Sequence, residues 1–426
     1  MPTALRRAIA VAAALAVAGF TAPAASAAGA PDTAQPLGVV SASASAHVPE
    51  VGSSAVEPEA SCDSIPAANQ EALGGAIKSC VEVKPAAEAA RSAAAVSPLA
   101  DSCQLRPGLF TWTRTGPICQ ADTIATYTLI DDKSKPIGTG TMSVNSSNQF
   151  SASSLTWSES ITLTVTQTTG QVKSLNVAFD VGCTSSCSAP SNKPWTGIKT
   201  LAAGQSATGS VTYKSSVPSG THDSFDTQYH IYVVSSGAVP IQPNLNWGSP
   251  PEAKIRCDAE FTTSGCVIPE RRAYSSFSLS DPKHASAAAA YAWAQNNLRG
   301  GAPLRRVASE TVAVANRERT CGAKSSDPFV AMPNQVPDDS CDEFPFAGTY
   351  EGGTDGALCA DIVPKLEGGQ WKFYAARTDK PVKGTEPCIR AHVSSTANSS
   401  AGGVYGSMVK NQRVLDTEKF DIVVTN

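Results

Sequence analysis

The sequence lacks any apolar run long enough to cross a membrane. Its longest run, Ala8 to Phe20, is too short to span. With Arg6 and Arg7 before it and Ala25-Ser26-Ala27 after it, that run reads as the core of a secretory signal, residues 1–27. The mature chain is therefore expected to be extracellular. Net positive charge is also missing. The formal charge is −4, and losing Arg6 and Arg7 with the leader makes it −4 − 2 = −6. That excludes nucleic-acid binding by bulk attraction, which relies on counterion release by Lys and Arg. Any polyanion site must come from local charge. Paired zinc ligands are lacking too, because Cys183 and Cys187 have no second ligand pair at suitable spacing. Twelve cysteines in an exported chain instead imply disulfides, most simply between sequence neighbours in six local loops.

Residues 28–100 have few aromatics and are rich in Ala, Ser, Pro and Val. Such a segment buries too little apolar surface to offset its ordering entropy. It reads as a propeptide or linker, with a short helix over Ala86 to Ala95. Residues 101–257 change texture: short runs rich in Thr, Val, Tyr and Ile alternate with Gly, Ser, Asn and Pro turns. Stretches such as Thr162-Leu163-Thr164-Val165-Thr166 fit strands with one wet face, and their spacing suggests a β-sandwich-like middle domain. Its His222, Asp223, Asp226 and His230 are close in sequence, but such groups more often mark a polar loop than a metal site. Residues 258–426 read as an α+β domain, with a helix over His284 to Leu298 and strand-like runs at Val307 to Val314, Trp371 to Ala375, Cys388 to Val393 and Phe420 to Val424. The expected fold class is thus multidomain.

A second absence locates the chemistry. From Ser325 to Asp361 there is no Lys or Arg, yet there are eight carboxylates: Asp327, Asp338, Asp339, Asp342, Glu343, Glu351, Asp355 and Asp361. Just upstream, Arg271 to Lys324 holds nine basic residues against three acidic ones. Phosphodiester hydrolysis needs an activated water, a divalent cation and cationic groups for the backbone. Carboxylate and amide oxygens suit Mg²⁺ or Mn²⁺, and Arg suits phosphate. Asp342, Glu343, Glu351 and Asn398 offer the first set; Arg305, Arg306, Arg317, Arg319 and Arg390 offer the second.

Asp342-Glu343-Phe344-Pro345 followed by Glu351-Gly352-Gly353 resembles the signature of the secreted NucA/NucB-type deoxyribonucleases, at that family's spacing. Ser394-Ser395-Thr396-Ala397-Asn398 with the small-residue stretch Ala401 to Lys410, and the closing Phe420-Asp421-Ile422-Val423-Val424, are similar to later elements of the family. Asn316-Arg317-Glu318-Arg319 resembles its preceding basic element. The resemblance covers about 280–426 and says nothing of the β-rich part. It implies a C-terminal nuclease domain with a ββα-metal-like site: Asp342 as general base, Asn398 as metal ligand, Glu351 in or next to the metal's ligand set, and Glu343 in support. Arg317, Arg319 and Arg390 are the expected phosphate contacts, and the ion is Mg²⁺ or Mn²⁺. DNA, held by its backbone without sequence preference, is the expected substrate, with RNA also open. A surface or polymer ligand is open for the β domain. The interval from Glu351 to Asn398 is longer than in minimal members and contains Cys359 and Cys388, which fits a disulfide-pinned insertion. His392 is the rival base; His284 reads as a surface residue. The alternative is a secreted binding protein with an inactive nuclease-like domain. A third, a polysaccharide hydrolase using paired carboxylates, would act without a metal.

Overall fold

Period-two alternation of apolar side chains builds most of this chain. Ser174–Cys183 and Thr227–Val234 bury every second residue, the pattern of strands with one face on a core. A computed structural model describes residues 35–40, 51–55, 78–84, 103, 108–299 and 301–426. The expected leader, the helix over Ala86 to Ala95 and Cys62 lie outside these described residues. Two hydrophobic cores make the protein multidomain, strand-rich and poor in helix.

The first core lies between a nine-stranded and a four-stranded sheet. The larger sheet is centred on the long strands Ile118–Ile130, Pro136–Ser151 and Ser154–Thr168. The smaller is Lys199–Ala202, Ser174–Cys183, Thr227–Val234 and Asn244–Gly248 in spatial order. Trp157 stacks on Tyr213 and Phe225, and Tyr229 on Trp247, filling the space between them. The stretch expected as linker adds strands: Lys78–Lys84 pairs with Ile118–Ile130, and Gly52–Ala55 with Leu109–Trp112. His222, Asp223 and His230 do not converge; they are bonded to Glu260, to Ser185 and Ser186, and to Asp180 respectively.

The second core belongs to the C-terminal region. Its main sheet has strands β1 (Asp339–Phe344), β2 (Ala360–Glu367), β3 (Gln370–Ala375) and β4 (Ile389–Ser394). The spatial order is Gly38–Val40, β3, β2, β4, β1, which leaves β1 at the edge. β1 and β4 are antiparallel, and β2 runs parallel to β4. Three helices surround the sheet: α1 (Ala285–Ala294), α2 (Glu310–Thr320) and α3 (Ser395–Asn411). α1 is Ala-rich and buried on nearly every side, as an all-apolar helix must be. α3 follows β4 directly, with Ser394 as its N-cap accepting from the Ala397 N–H.

In the C-terminal region one run departs from expectation. Val307 to Val314 reads as a strand from its β-branched residues, but Glu310–Thr320 is helical. Ser309 caps it by accepting from the Val312 N–H, and Glu310 sits in the first turn, where negative charge favours the helix. Val312 and Val314 are left exposed. Five disulfides among the described residues join Cys103–Cys119, Cys183–Cys187, Cys257–Cys266, Cys321–Cys341 and Cys359–Cys388. All five are the nearest-neighbour pairs. Among the described residues no helix is long and apolar enough to cross a membrane.

Candidate active site

Edge strand β1 has two faces, and alternation sorts its side chains between them. Ser340, Asp342 and Phe344 face α1 and α3; Cys341 and Glu343 face α2. On the first face, the Tyr291 hydroxyl of α1 donates to Asp342 Oδ1 at 3.0 Å and Oδ2 at 2.9 Å. Tyr291 also stacks on Phe344. Asn398, in the first turn of α3, donates from Nδ2 to Ser340 Oγ at 3.0 Å and to the Cys341 carbonyl at 2.8 Å. Its Oδ1, the atom that ligates metals, accepts nothing among the described residues. On the second face, the Cys321–Cys341 disulfide ties β1 to the end of α2. Arg317 of α2 lies 4.0 Å from Glu343 Oε1.

Asp342, Glu343, Asn398, Arg317, Tyr291 and Arg306 line one cleft of about 680 Å³. The edge position of β1 explains why side chains from both its faces reach the same space. A larger cleft, about 840 Å³, contains none of the expected site residues.

The electrostatics of β1 are unusual for surface carboxylates. Asp342 is 4% exposed. Burial first, and then the charge of Glu343, hold its carboxyl well above the usual carboxylate range, and the Tyr291 hydroxyl offsets only part of this. Glu343 is raised by burial as well, with Arg317 pulling the other way. Burial and the Asp342 charge likewise push the Tyr291 phenol up, so it stays a donor. Two sequence-adjacent carboxyls are thus held with one guanidinium, Arg317, 4.0 Å from Glu343. Such a pair gains from a cation.

The oxygen donors of Asp342 and Asn398 fit a hard divalent ion, which keeps several waters of its own. Cys321, Cys341 and Glu343 also bring potential ligand atoms within 4.8 Å of one another. Both sulfurs are in a disulfide, however, so no thiolate is available there.

Other expected residues are placed elsewhere. Both Glu351 oxygens are taken by Arg305: Oε1 accepts from Nε and Oε2 from the backbone N–H, each at 2.8 Å. Glu351 does not line the cleft. Arg319 is exposed on α2 but, two residues beyond Arg317, falls on a different side of the helix and also misses the cleft. Arg390 does not line the cleft either. It is 1% exposed and donates to Asp361 Oδ1 at 2.6 Å and Oδ2 at 2.8 Å, and to the Asp327 and Thr320 carbonyls. Its position on β4 directly beside Glu343 is real, but its guanidinium ties Asp361 of β2 to the 320–327 segment. Arg390→Leu is expected to lower the unfolding free energy in urea by about 3 kcal/mol, because buried Asp361 keeps only Lys380, at 3.2 Å, and the Asp327 and Thr320 carbonyls lose their donor. An unchanged urea midpoint would refute that structural role.

The two histidines are also accounted for. His392 is buried beneath Phe329, with Nδ1 2.7 Å from Asp339 Oδ2, outside the cleft. His284, expected at the surface, is 6% exposed and accepts the Ser278 N–H at Nε2, just ahead of α1. Gly352 and Gly353 serve close packing. A Cβ on Gly352 would fall 2.2 Å from the Phe346 carbonyl oxygen, and Gly353, at φ +79°, packs on Asn316 of α2. Tyr291 carried no signal beyond its place in an apolar helix, and sequence reasoning gave it no role at the site.

No curated protein matches the chain. One solved structure, native alpha-2-macroglobulin from Escherichia coli spanning domain MG7 to the C-terminus, is similar over 26% of this chain and 17% of that chain. At 16% identity and a TM-score of 0.18, that likeness indicates neither fold nor function. The family model described as Deoxyribonuclease NucA/NucB matches residues 291–372, which include Tyr291, Arg317, Asp342, Glu343 and Glu351 and stop short of Arg390 and Asn398. The C-terminal region of this chain is therefore similar to the NucA/NucB-type deoxyribonucleases over residues 291–372, consistent with a domain of that type.

Proposed function

We propose that the protein is a secreted, metal-dependent endonuclease that hydrolyses phosphodiester bonds of DNA without sequence preference. The observation that carries this reading is the buried Asp342 carboxyl, held by the Tyr291 hydroxyl, on the same edge strand to which the Asn398 amide is anchored. A general base works best with a pKa near the operating pH. An unperturbed Asp is too acidic for that, and burial, then the charge of Glu343, shift Asp342 in the direction a base requires.

In this reading Asp342 accepts a proton from water at a carboxylate oxygen while Tyr291 fixes the orientation of the group. The resulting hydroxide attacks phosphorus, and the bond to the ester oxygen breaks. Asn398 Oδ1, with Asp342 nearby, would hold the divalent ion. When bound, that ion supplies charge neutralisation at the phosphate and acidifies water. Arg317, exposed at the cleft, suits bidentate contact with backbone phosphates, while Arg306, also in the cleft, has its Nη1 held by the Val414 carbonyl. Contacts of that kind position a strand without reading bases. Glu351 contributes indirectly, by holding Arg305 at the turn. The disulfides support an extracellular address.

Plasmid DNA tests the proposal. With Mg²⁺ or Mn²⁺ the purified protein should convert supercoiled plasmid to nicked and linear forms, and EDTA should stop it. No cleavage with any divalent ion would leave the binding-protein alternative in its place.

A further inference from the structure

The β-rich region meets the C-terminal region through a network of buried charge that converges on the far end of α3. This is the helix whose first turn carries Asn398. A helix end leaves several carbonyls without intrahelical donors, and here arginines serve them. The Gln412 carbonyl accepts from Arg114 Nε at 2.7 Å, and the Arg413 carbonyl from Arg114 Nη2 at 3.3 Å and from Arg256 Nη2. Both arginines come from the β-rich region: Arg114 just after Leu109–Trp112, Arg256 on Ile255–Asp258. Cations at this end also suit the helix dipole.

The chain after α3 reaches back. Arg413 is 0% exposed, and its backbone adopts φ +48°. Nε donates to Asp258 Oδ2 at 2.8 Å, Nη1 to the Ala152 and Thr263 carbonyls at 2.6 and 3.0 Å, and Nη2 to the Asp258 carbonyl at 2.9 Å and to Asp258 Oδ1. Glu418 accepts from Arg114 at 2.6 Å and Arg256 at 3.0 Å. The β-hairpin that bears Asp258 is pinned by Cys257–Cys266. Its Phe261 lies under the guanidinium groups of Arg413 and Arg306 and lines the candidate active cleft.

We infer that the β-rich region is a clamp that sets the position of α3, with Asp258, Arg114, Arg256 and Arg413 as positioning residues for Asn398. This inference rests on the nuclease reading only in naming what Asn398 does. The 17 residues of α3 make a rod about 25 Å long. A tilt of a few degrees at the Arg413 end moves the Asn398 end by about 1 Å, and an error of that size is enough to cost about a hundredfold in rate. An apolar patch would join the two regions at many similar angles. A fully bonded guanidinium accepts very few.

The test uses the full chain with Asp258→Asn and Arg114→Lys. Two readings are taken: Mn²⁺ affinity, from the electron paramagnetic resonance of free Mn²⁺, and amide hydrogen exchange across α3, β1 and the long sandwich strands. The expected result is a Mn²⁺ dissociation constant raised about tenfold or more, faster exchange in α3, unchanged exchange in the sandwich strands, and an unchanged KM for DNA. Folded variants with wild-type Mn²⁺ affinity and wild-type α3 exchange overturn the clamp. So does a uniform rise in exchange through α3 and the sandwich alike, which would mark general destabilisation. If Asp258→Asn does not fold, Arg114→Lys, which keeps the charge, decides by the same readings. If the wild-type protein binds no Mn²⁺, the role of Asn398 as a Mn²⁺ ligand falls and α3 exchange alone decides, loosening supporting the clamp and constancy overturning it.

Discussion

Asp342→Asn should reduce DNA cleavage by about 10²–10⁴-fold, the usual worth of a positioned general base, while leaving the fold at least as stable. The amide has the shape of the acid and still accepts the Tyr291 hydroxyl, so packing on α1 is kept. What disappears is an ionisable group buried at 4% exposure beside a second carboxyl. Holding a charge there is costly, and active sites commonly sustain such a cost for function. The pH dependence follows from the direction of the shift. The folded pKa of Asp342 lies above its unfolded value, so the folded state binds the proton more tightly. Its contribution to stability is complete below about pH 4, the unfolded value, and is lost as pH rises through the raised folded value. Without a divalent ion, urea melts should therefore show the variant gaining on the wild type as pH rises. Strong residual cleavage by Asp342→Asn would remove the base assignment. A loss of activity accompanied by unfolding would leave the variant's defect structural.

Chelation is the second large effect. EDTA should bring cleavage to background, and Asn398→Ala should raise the Mn²⁺ concentration needed for half-maximal rate. The same ion should stabilise the wild type. At a hundred times its dissociation constant a ligand adds about 2.7 kcal/mol to the unfolding free energy, readable as a rise in the urea midpoint. Most of that rise should vanish in Asn398→Ala. Truncating Asn398 also removes the donors to Ser340 Oγ and the Cys341 carbonyl, so a metal-free loss of about 1 kcal/mol is expected alongside. The two effects separate because only one depends on Mn²⁺. An Asn398→Ala protein with wild-type metal demand would show that the amide is an anchor for α3 and not a ligand.

Much of the framework was legible because it obeys local rules. Alternation in Thr227–Val234 announces its strand, and the described cysteines pair with their sequence neighbours. The strand Pro136–Ser151 is hidden in the sequence, since its Gly, Ser and Asn residues read as turns while long-range pairing on both sides holds it extended. Glu310–Thr320 inverted its expectation because one capping serine outweighed a run of β-branched residues. At the site, the motif led to Asp342, Glu343 and Arg317, which share the cleft, and to Asn398 across a long insertion. Period two alone implies that Asp342 and Glu343 face opposite ways. Which face meets α1 and α3 depends on tertiary packing. Composition also cannot tell a phosphate-binding arginine from a structural one. Arg390 and Arg317 look alike in sequence, and only burial against Asp361 separates them. Tyr291 is hidden for the converse reason, an apolar helix carrying a polar tip.

The most direct measurement sets wild type and Asp342→Asn side by side on supercoiled plasmid, each with Mn²⁺ and with EDTA, after both are shown to be folded by circular dichroism. Cutting by the wild type with Mn²⁺ and by none of the other three combinations is the result expected of a metal-dependent nuclease with Asp342 as its base. Comparable cutting by Asp342→Asn with Mn²⁺, or by the wild type in EDTA, would contradict it.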